Sequence, residues 1–239
     1  MFLSRFKHRT PGKGANGGDP NSRLVTVVDP AGACSEAYRS MRANLLYGFI
    51  DSPPRVIVVT SPGRGEGKTT TCANLGVVLA QAENNTLIVD CDLRGPGIHK
   101  AFGLRNMYGI VDVLGGELDL QEACHVPVPG LQVLTAGPIP PNSAEFLSST
   151  RFAKFVDEVR TQFDYVLIDT PPAQSVSDST VVAPHGDGVV LVLDAQNTRK
   201  GKVRQTVRRL EAVGTRILGT VMNNAKVPRS AYYEYVYEG

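Results

Sequence analysis

A glycine-rich segment between two apolar stretches has the residue types needed to bind phosphate. Residues 61–70 read SPGRGEGKTT, follow the apolar run VIVVT and precede an apolar helical stretch. Glycines in such a loop let backbone N–H groups point inward, and the helix N-terminus adds a positive dipole. The strict pattern G-x-x-x-x-G-K-[ST] fails at one position, because Pro62 stands where its first glycine belongs. The placement between strand and helix still favours a nucleotide-phosphate site over a chance glycine-rich turn.

The side chains of this loop and of one distant strand have predicted roles. Lys68 would reach the β- and γ-phosphates, and the Thr69 hydroxyl would hold Mg²⁺. The run ILGTVMNN ends in Asn223 and Asn224, and the Asn223 amide could read an adenine edge; a turn-forming Asn pair is the alternative. The residues predicted to bind the nucleotide are Gly63, Arg64, Gly65, Glu66, Gly67, Lys68, Thr69, Thr70 and Asn223.

Acidic residues end two further apolar runs. Asp90 and Asp92 lie in VDCDLRGP, and Asp169 ends the run in FDYVLIDTPP. The i, i+2 spacing puts the first two carboxylates on one side of a strand, where their repulsion calls for a cation such as Mg²⁺. For this pair, a polar turn balanced by Arg94 is the alternative. Together with the loop, the three acidic residues indicate a Mg²⁺-nucleotide site, with Thr69, Asp92 and Asp169 as predicted metal ligands.

Phosphoryl transfer at such a site needs a cation on the phosphates and a carboxylate that accepts the proton of the attacking hydroxyl. We predict Lys68, Asp90 and Asp92 as the catalytic residues, with Asp90 as the base. Spacing alone does not separate the two aspartates, and the assignment of the base could be reversed.

The elements that must position these side chains follow from alternating patterns. Six short apolar runs, rich in β-branched residues, predict strands buried on both faces: Val56–Val59, Leu87–Val89, Leu131–Leu134, Val166–Ile168, Val189–Leu193 and Ile217–Val221. Helical stretches separate them, among them Thr69–Gln81, Arg151–Gln162 and Lys200–Val213. This alternation predicts an α/β fold, with a central, mostly parallel sheet flanked by helices on both faces.

Composition excludes several classes of protein. The 239 residues are 42% hydrophobic and carry a formal net charge of +2, which argues against nucleic acid as the main partner. Four scattered cysteines form no CxxC pair and argue against a zinc site or a disulfide framework. The first residues have no signal-peptide pattern, and no apolar stretch reaches the roughly 18 residues of a membrane span. We therefore expect a cytoplasmic protein.

The chain divides into three parts. Residues 1–23 are basic and rich in Gly and Pro, which predicts a flexible arm. Residues 24–225 form one predicted domain, and residues 226–239 a flexible tail. Four of the eight tyrosines lie in the last eight residues, beside two glutamates, and we predict them to be phosphate acceptors rather than packing residues: Tyr232, Tyr233, Tyr235 and Tyr237.

Taken in order, these segments resemble the bacterial tyrosine kinases of capsular and exopolysaccharide synthesis, whose domain is of the P-loop NTPase type. The resemblance covers residues 24–239 and rests on the phosphate loop, the tyrosine tail and four further segments: EAYRSMRANL, VDCDLRGPGIHKAFGL, LTAGPIPPNSAEFL and FDYVLIDTPP. Arg64 departs from the family pattern, because proline is common at its position in the loop.

The resemblance implies an activity and partners. Family members use ATP and Mg²⁺ to phosphorylate their own terminal tyrosines, and assemble rings in which one subunit's tail enters its neighbour's site. Residues 36–48 would be the helix that forms the ring, through Glu36, Arg39 and Arg42; an intrahelical ion pair is the alternative. The family's domain is paired with a transmembrane activator, a polysaccharide co-polymerase, and also modifies sugar-nucleotide enzymes. We expect a separate membrane partner that holds this chain at the inner face of the membrane.

Two other functions use the same fold. A switch ATPase like MinD or ParA would dimerise on ATP, but those proteins normally have a lysine early in the loop, where this chain has Gly63. A catalytically silent scaffold would bind ATP without transferring phosphate. Neither function requires the tyrosine tail.

Overall fold

Eight strands form one sheet in the computed structural model, which describes the backbone of residues 3–5 and residues 24–49, 52–174 and 177–225. The strands are β1 (Leu3–Arg5), β2 (Val56–Thr60), β3 (Thr86–Asp90), β4 (Cys124–Val128), β5 (Leu131–Leu134), β6 (Tyr165–Asp169), β7 (Gly188–Asp194) and β8 (Ile217–Asn223). Their order across the sheet is β1-β8-β7-β2-β6-β3-β5-β4. All neighbouring pairs are parallel except β4 and β5.

Ten α-helices connect or flank these strands in the described part of the chain. They are α1 (Val25–Val28), α2 (Ala33–Tyr47), α3 (Lys68–Ala80), α4 (Ile98–Phe102), α5 (Ile110–Gly115), α6 (Leu120–Ala123), α7 (Ser143–Leu147), α8 (Thr150–Gln162), α9 (Asp178–Val182) and α10 (Lys200–Ala212). A short 3₁₀ helix, Ala183–His185, follows α9. The predicted ring-forming helix begins three residues earlier than expected, at Ala33, and ends at Tyr47.

The fold predicted from the sequence is confirmed. Strands β2, β3, β6 and β7 are buried along their whole length, as expected for apolar runs with helices on both sides of the sheet. One core cluster packs α2 and α3 against one face, and a second packs α5, α8 and α10 against the other. Among the described residues, no helix is both long and apolar enough to cross a membrane.

Two strands were not predicted. The edge strand β4 reads CHVPV, is only half-buried and contains a proline, so it has neither an apolar run nor a strict alternation. Proline is tolerated there because one side of an edge strand needs no ladder hydrogen bonds. The backbone of β1 pairs in parallel with β8, within the segment predicted to be a flexible arm. Residues 6–23 of that arm lie outside the described residues.

Asp187 links the start of the central strand β2 to helix α8. Its Oδ2 accepts the backbone N–H groups of Arg55 and Val56, each at 2.8 Å, and its Oδ1 accepts a hydrogen bond from Arg160. Burial of Asp187 opposes its ionisation, but these donors outweigh burial and lower the pKa of Asp187. The ionised carboxylate therefore stabilises the folded state.

Replacing Asp187 with asparagine is expected to lower the free energy of unfolding at pH 7 by about 1–3 kcal/mol, since hydrogen bonds to a charged group are lost. Because the folded-state pKa is depressed, the contribution is complete above the unfolded pKa of about 3.9 and disappears as pH falls through the folded value. Denaturant unfolding between pH 8 and 3.5 should show a deficit that shrinks in acid. The exposed Asp157→Asn variant on α8 is the control, and a deficit independent of pH would contradict this account.

Candidate functional site

The glycine loop joins the end of β2 to the start of α3. Gly65 and Gly67 have φ angles of +77° and +90°, in the left-handed region that favours glycine. A Cβ on Gly67 would lie 2.3 Å from Asn223 Nδ2, so this position requires glycine for space as well. The carbonyl of Gly63 accepts a hydrogen bond from Ser61 Oγ at 2.7 Å. This is the kind of turn in which backbone N–H groups can face an anion.

Lys68, the first residue of α3, lies between carboxylates from two parts of the sheet edge. Its Nζ is 2.7 Å from Asp92 Oδ2, just after β3, and 3.8 Å from Asp169 Oδ1 at the end of β6. Burial opposes the charge of Lys68, but the two carboxylates outweigh burial and raise the pKa of the ammonium. Lys68 is therefore the cation that balances both aspartates.

Thr69 and Asp169 form an oxygen-rich pair beside this lysine. Thr69 Oγ1 donates a hydrogen bond to Asp169 Oδ2 at 2.7 Å. The other oxygen of Asp169 is buried and has no hydrogen-bond partner in the described part of the chain, which is unusual for a buried polar atom. Burial raises the pKa of Asp169, although Lys68 and Thr69 oppose the shift. A hydroxyl and a carboxylate with a spare oxygen fit the ligand preference of Mg²⁺.

The carboxylates of the site do not make a cage for a metal by themselves. Over the residues that the structure describes, no group of three or more His, Cys, Asp or Glu side chains is arranged to hold an ion. Mg²⁺ more often binds through one or two carboxylates together with substrate phosphates and water. The site fits this second arrangement, in which Thr69 and Asp169 would be the protein ligands, while Asp92 lies beside Lys68.

Asp90 has a different environment from Asp92. Its Oδ2 accepts the backbone N–H groups of Gly97 and Ile98, each at 3.0 Å, and its Oδ1 accepts that of Asp92 at 3.2 Å. Asp90 is fully buried, and burial and nearby Asp169 together raise its pKa, against the effect of the backbone donors. Asp90 thus holds the loop after β3 in shape, whereas Asp92 remains 6% exposed at the rim of the site.

Glu66 anchors the glycine loop to the ends of two strands. Its Oε1 accepts a hydrogen bond from Thr198 Oγ1 at 2.7 Å, and its backbone carbonyl accepts one from Asn223 Nδ2 at 2.8 Å. Thr198 in turn accepts the backbone N–H of Asp194, at the end of β7. Burial raises the pKa of Glu66, partly offset by Thr198. No sequence pattern points to Thr198, which is 132 positions from Glu66.

The predicted adenine-reading residue, Asn223, lies at the sheet edge as expected. Its amide nitrogen is bound to the loop carbonyl of Glu66, while its Oδ1 is buried without a hydrogen-bond partner among the described residues. Asn223 therefore positions the phosphate loop. Its contact with a base stays a prediction, and only the oxygen remains available to accept an amino group.

Arg94 and Asp178 form a further contact that sequence reasoning missed. Arg94 Nε is 3.0 Å from Asp178 Oδ2, and the Asp178 side chain is fully buried. Arg94 follows Asp92 in the loop after β3, so this pair ties that loop to α9. Arg94 therefore pairs with Asp178, 84 positions away, instead of balancing the charges of Asp90 and Asp92.

The remaining predicted binding residues have simpler environments. Arg64 is exposed at the tip of the loop. The carbonyl of Thr70 accepts a hydrogen bond from Asn74 Nδ2 at 2.9 Å, within the first turns of α3. Neither side chain is drawn into the cluster around Lys68, and their contacts with a nucleotide stay predictions.

The residues predicted to form a ring contact their own chain in this structure. Glu36 and Arg39 form an ion pair of 2.7 Å, and Arg39 also donates to the carbonyl of Pro30. Arg42 donates to the carbonyl of Val78 near the C-terminal end of α3, at 2.7 Å. Glu36 keeps 64% of its side chain exposed, so it is the member of the set that remains most available to a neighbour.

The four predicted acceptor tyrosines, Tyr232, Tyr233, Tyr235 and Tyr237, lie outside the described residues, as does the rest of the segment 226–239. Their relation to the site is therefore part of the proposal below.

Comparisons with known proteins agree with this geometry. A family model described as NUBPL iron-transfer P-loop NTPase matches residues 53–235, and with the loop and its acidic partners this defines the chain as a P-loop NTPase. The chain is 36% identical over 213 residues to tyrosine-protein kinase YwqD of Bacillus subtilis, covering 89% of this chain and 90% of that protein. It is 32% identical over 219 residues to tyrosine-protein kinase wzc of Salmonella typhi, covering 90% of this chain and 30% of that protein.

A solved structure is similar over nearly the whole chain. The crystal structure of the chimerical protein CapA2B2 has a TM-score of 0.86 and 34% identity, and the match covers 95% of both chains. The chain belongs to the bacterial tyrosine kinases, a family of enzymes within the P-loop NTPases. The resemblance inferred from the sequence is confirmed.

Proposed function

We propose that this protein transfers the γ-phosphoryl group of ATP to the tyrosines of its own C-terminal segment, between the copies of a ring. By this reaction it would regulate the polymerisation and export of a capsular polysaccharide or exopolysaccharide. The observation that carries the proposal is the cluster of Lys68, Thr69, Asp92 and Asp169 beside the glycine loop. It combines a cation for the phosphates, an oxygen pair suited to Mg²⁺ and a carboxylate, that of Asp92, at the rim of the site.

The residues of this chain have distinct roles in the proposed transfer. The loop N–H groups and Lys68 bind and neutralise the phosphates, and Thr69 and Asp169, with Asp92 close by, would hold Mg²⁺. When bound, Mg²⁺ would supply positive charge that neutralises the phosphates. The tyrosine oxygen forms a bond to the γ-phosphorus as the bond to the bridging oxygen breaks, and ADP leaves with that electron pair. The phenolic proton passes to a carboxylate of the enzyme.

We infer that Asp92 is this carboxylate, which reverses the first assignment of the base to Asp90. Each oxygen of Asp90 already accepts at least one backbone N–H group, and the residue is fully buried. Asp92 retains 6% exposure, and its Oδ2 contacts the ammonium group of Lys68 at 2.7 Å. Withdrawal of Lys68 toward the phosphates would leave that oxygen available to a tyrosine hydroxyl.

Mapping of phosphate tests the function directly. Pure protein is incubated with Mg²⁺-ATP, with and without a cytoplasmic activator segment, and phosphotyrosine is located by mass spectrometry. We expect phosphate on residues 232–237, and none on a variant in which these four tyrosines are phenylalanine but ATP still binds. ADP release without phosphotyrosine would indicate a switch ATPase instead, and ATP binding without turnover would indicate a scaffold.

If the protein forms a ring through α2, substitutions in this helix should lower the mass of the oligomer. Arg39→Ala is expected to convert the oligomer to monomers in light scattering, because it removes the cation beside exposed Glu36. Arg42→Ala should do the same, but it also removes the hydrogen bond to Val78 of the same chain, so its thermal midpoint must be measured in parallel. An Arg39→Ala protein that keeps both its fold and the mass of the wild-type oligomer would exclude this helix as the ring contact.

Partners of the proposed enzyme follow from the family resemblance. A separate transmembrane activator, a polysaccharide co-polymerase, would hold the protein at the inner face of the membrane, and sugar-nucleotide enzymes are further candidate substrates. The match covers 30% of the length of the relative wzc. The rest of that longer protein can therefore contain other domains. Co-purification of the protein with membranes, dependent on such a partner, tests the location.

A further inference from the structure

Helix α10 carries a large excess of positive charge. Its single acidic residue is Glu211, in the last turn, while the helix and its N-cap contain six basic residues: Arg199, Lys200, Lys202, Arg204, Arg208 and Arg209. This segment therefore has a formal charge of +5 within a chain of +2, so the rest of the chain carries −3. Such separation of charge marks a surface that attracts anions.

Three of these residues share one face of the helix. Lys200, Arg204 and Arg208 follow each other at intervals of four, and all are exposed. We call them the basic face; Glu211 lies at its far end. In the described part of the chain, none of the three forms an ion pair within 4.0 Å. Arg209, by contrast, donates to the carbonyl of Ala173.

The first turn of α10 has cations where a helix favours anions. It contains no acidic residue, although the N-terminal end of the helix dipole is positive. Lys200 therefore lies in an unfavourable field, and an anion bound beside it would relieve both the dipole and the side-chain charge. The electrostatic cost of placing Lys200 at the positive end of the helix favours the binding of an anion there over a surface that only contacts water.

The last described residues of the chain lie beside the connection that leads into α10. The end of β8 is joined to the β7–α10 connection by hydrogen bonds from Ala195 N to Asn223 O, at 2.9 Å, and from Gln196 Nε2 to Asn224 O, at 3.1 Å. Fourteen residues, 226–239, follow the last described position. Fully extended they span about 50 Å, at roughly 3.5 Å each, whereas α10, with thirteen residues, is about 20 Å long.

The last eight residues of that segment, which follow Lys226 and Arg229, are complementary in charge to the basic face. Residues 232–239 contain Glu234 and Glu238 and no basic residue. Each phosphotyrosine would add about −1.5 to −2, and arginine binds phosphate through paired hydrogen bonds.

We propose that the basic face of α10 is the docking surface for residues 232–239 of the same chain, and that phosphorylation of the tyrosines tightens this contact. The second part rests on the proposed autophosphorylation, while the first does not. The basic face would then take up a phosphorylated acceptor that Asp90, Asp92 and Asp169 repel, and so clear the product from the site.

Zero-length crosslinking of the full chain tests the docking. A carbodiimide joins a lysine to a carboxylate only when the two are in contact, and we expect adducts of Lys200 with Glu234 or Glu238. Their yield should fall severalfold in about 0.5 M salt, which screens surface charges, and in the Arg204→Gln/Arg208→Gln variant. The Lys154→Gln variant, which removes an exposed cation of α8, should crosslink like the wild type.

Isotope mixing identifies the chain that supplies the carboxylate. In an equal mixture of ¹⁵N-labelled and unlabelled protein, docking within one chain gives adducts in which both peptides carry the same label. Mixed-label adducts would mean that the occupant is another copy and would overturn the proposal. It would equally be overturned if adducts were absent while the wild type, but not the Arg204→Gln/Arg208→Gln variant, bound phosphatidylglycerol vesicles, because the face would then be a lipid surface.

A second measurement addresses the effect of phosphate. The tail is phosphorylated with an added non-specific tyrosine kinase, so that the result does not depend on the protein's own activity. A soluble tyrosine phosphatase should then release phosphate several times faster from the Arg204→Gln/Arg208→Gln variant than from the wild type. Equal rates would overturn the tightening by phosphate, whereas failure of the proposed function would appear separately, as a lack of autophosphorylation.

Discussion

Replacing Lys68 with methionine is expected to reduce phosphotyrosine formation by about 10³-fold or more, the scale of losing a cation that stabilises a transferring phosphoryl group. Methionine is unbranched like lysine and one atom shorter, and it removes the charge that lies 2.7 Å from Asp92 and 3.8 Å from Asp169. The phosphates would then meet two buried carboxylates without their countercharge. Both ATP binding and transfer should therefore fail.

The measurement is the rate of phosphotyrosine formation by mass spectrometry, together with ATP affinity by equilibrium binding. Lys154→Met is the matched control, since Lys154 is an exposed lysine on α8 and should leave both quantities unchanged. A Lys68→Met protein that is folded, by its thermal midpoint, and transfers phosphate at more than a tenth of the wild-type rate would exclude the proposed role.

Replacing Asp92 with asparagine is expected to reduce the rate of transfer by about 10²–10⁴-fold, the usual contribution of a positioned general base. Asp92 has a single backbone partner, the N–H of Gly95, so the amide can be accommodated with little change in thermal midpoint. ATP binding should be retained, because Lys68 keeps Asp169 as a partner.

Asp90→Asn is the comparison that separates the two aspartates. Its carboxylate accepts three backbone N–H groups, and an amide nitrogen cannot accept any of them. We expect a lower thermal midpoint and an altered loop after β3, with transfer reduced in proportion to the loss of folded protein. If instead Asp90→Asn were fully folded and inactive while Asp92→Asn remained active, the original assignment of Asp90 as the base would be restored.

Much of the fold and of the site could be predicted from patterns in adjacent residues. The run Val56–Val59 and the glycine loop after it could be predicted, because burial on both faces and the conformational freedom of glycine both leave marks in adjacent residues. The acidic ends of β3 and β6 were also predicted, since parallel strands bring their carboxyl ends to one edge of the sheet. The edge strand β4 could not be, because it is half-exposed and contains a proline.

Contacts between distant segments were the part that the sequence did not reveal. Thr198 binds Glu66, and Asp178 binds Arg94, across 132 and 84 positions, and neither partner has a distinctive pattern around it. Asn223 shows the same limit: its place at the sheet edge followed from the strand, but its contact with the loop carbonyl depends on how β8 and the loop meet. Sequence patterns thus predicted which residues lie at the site, but they did not predict the hydrogen-bond partners of those residues.

The contact between Asn223 and the phosphate loop also determines how concentrated the acceptor tyrosines are around the active site of their own chain. Tyr232 is nine residues after Asn223 and Tyr237 fourteen, so every acceptor is tethered close to its own chain's active site. Short tethers of this kind correspond to an effective concentration of the order of millimolar. The tail of a neighbouring copy can compete for the site only if assembly raises its effective concentration there to a similar level. The alternative is that the chain's own tail is bound elsewhere. Transfer between copies is therefore expected to depend steeply on assembly, and to fall sharply once the protein is diluted below the concentration at which the ring forms.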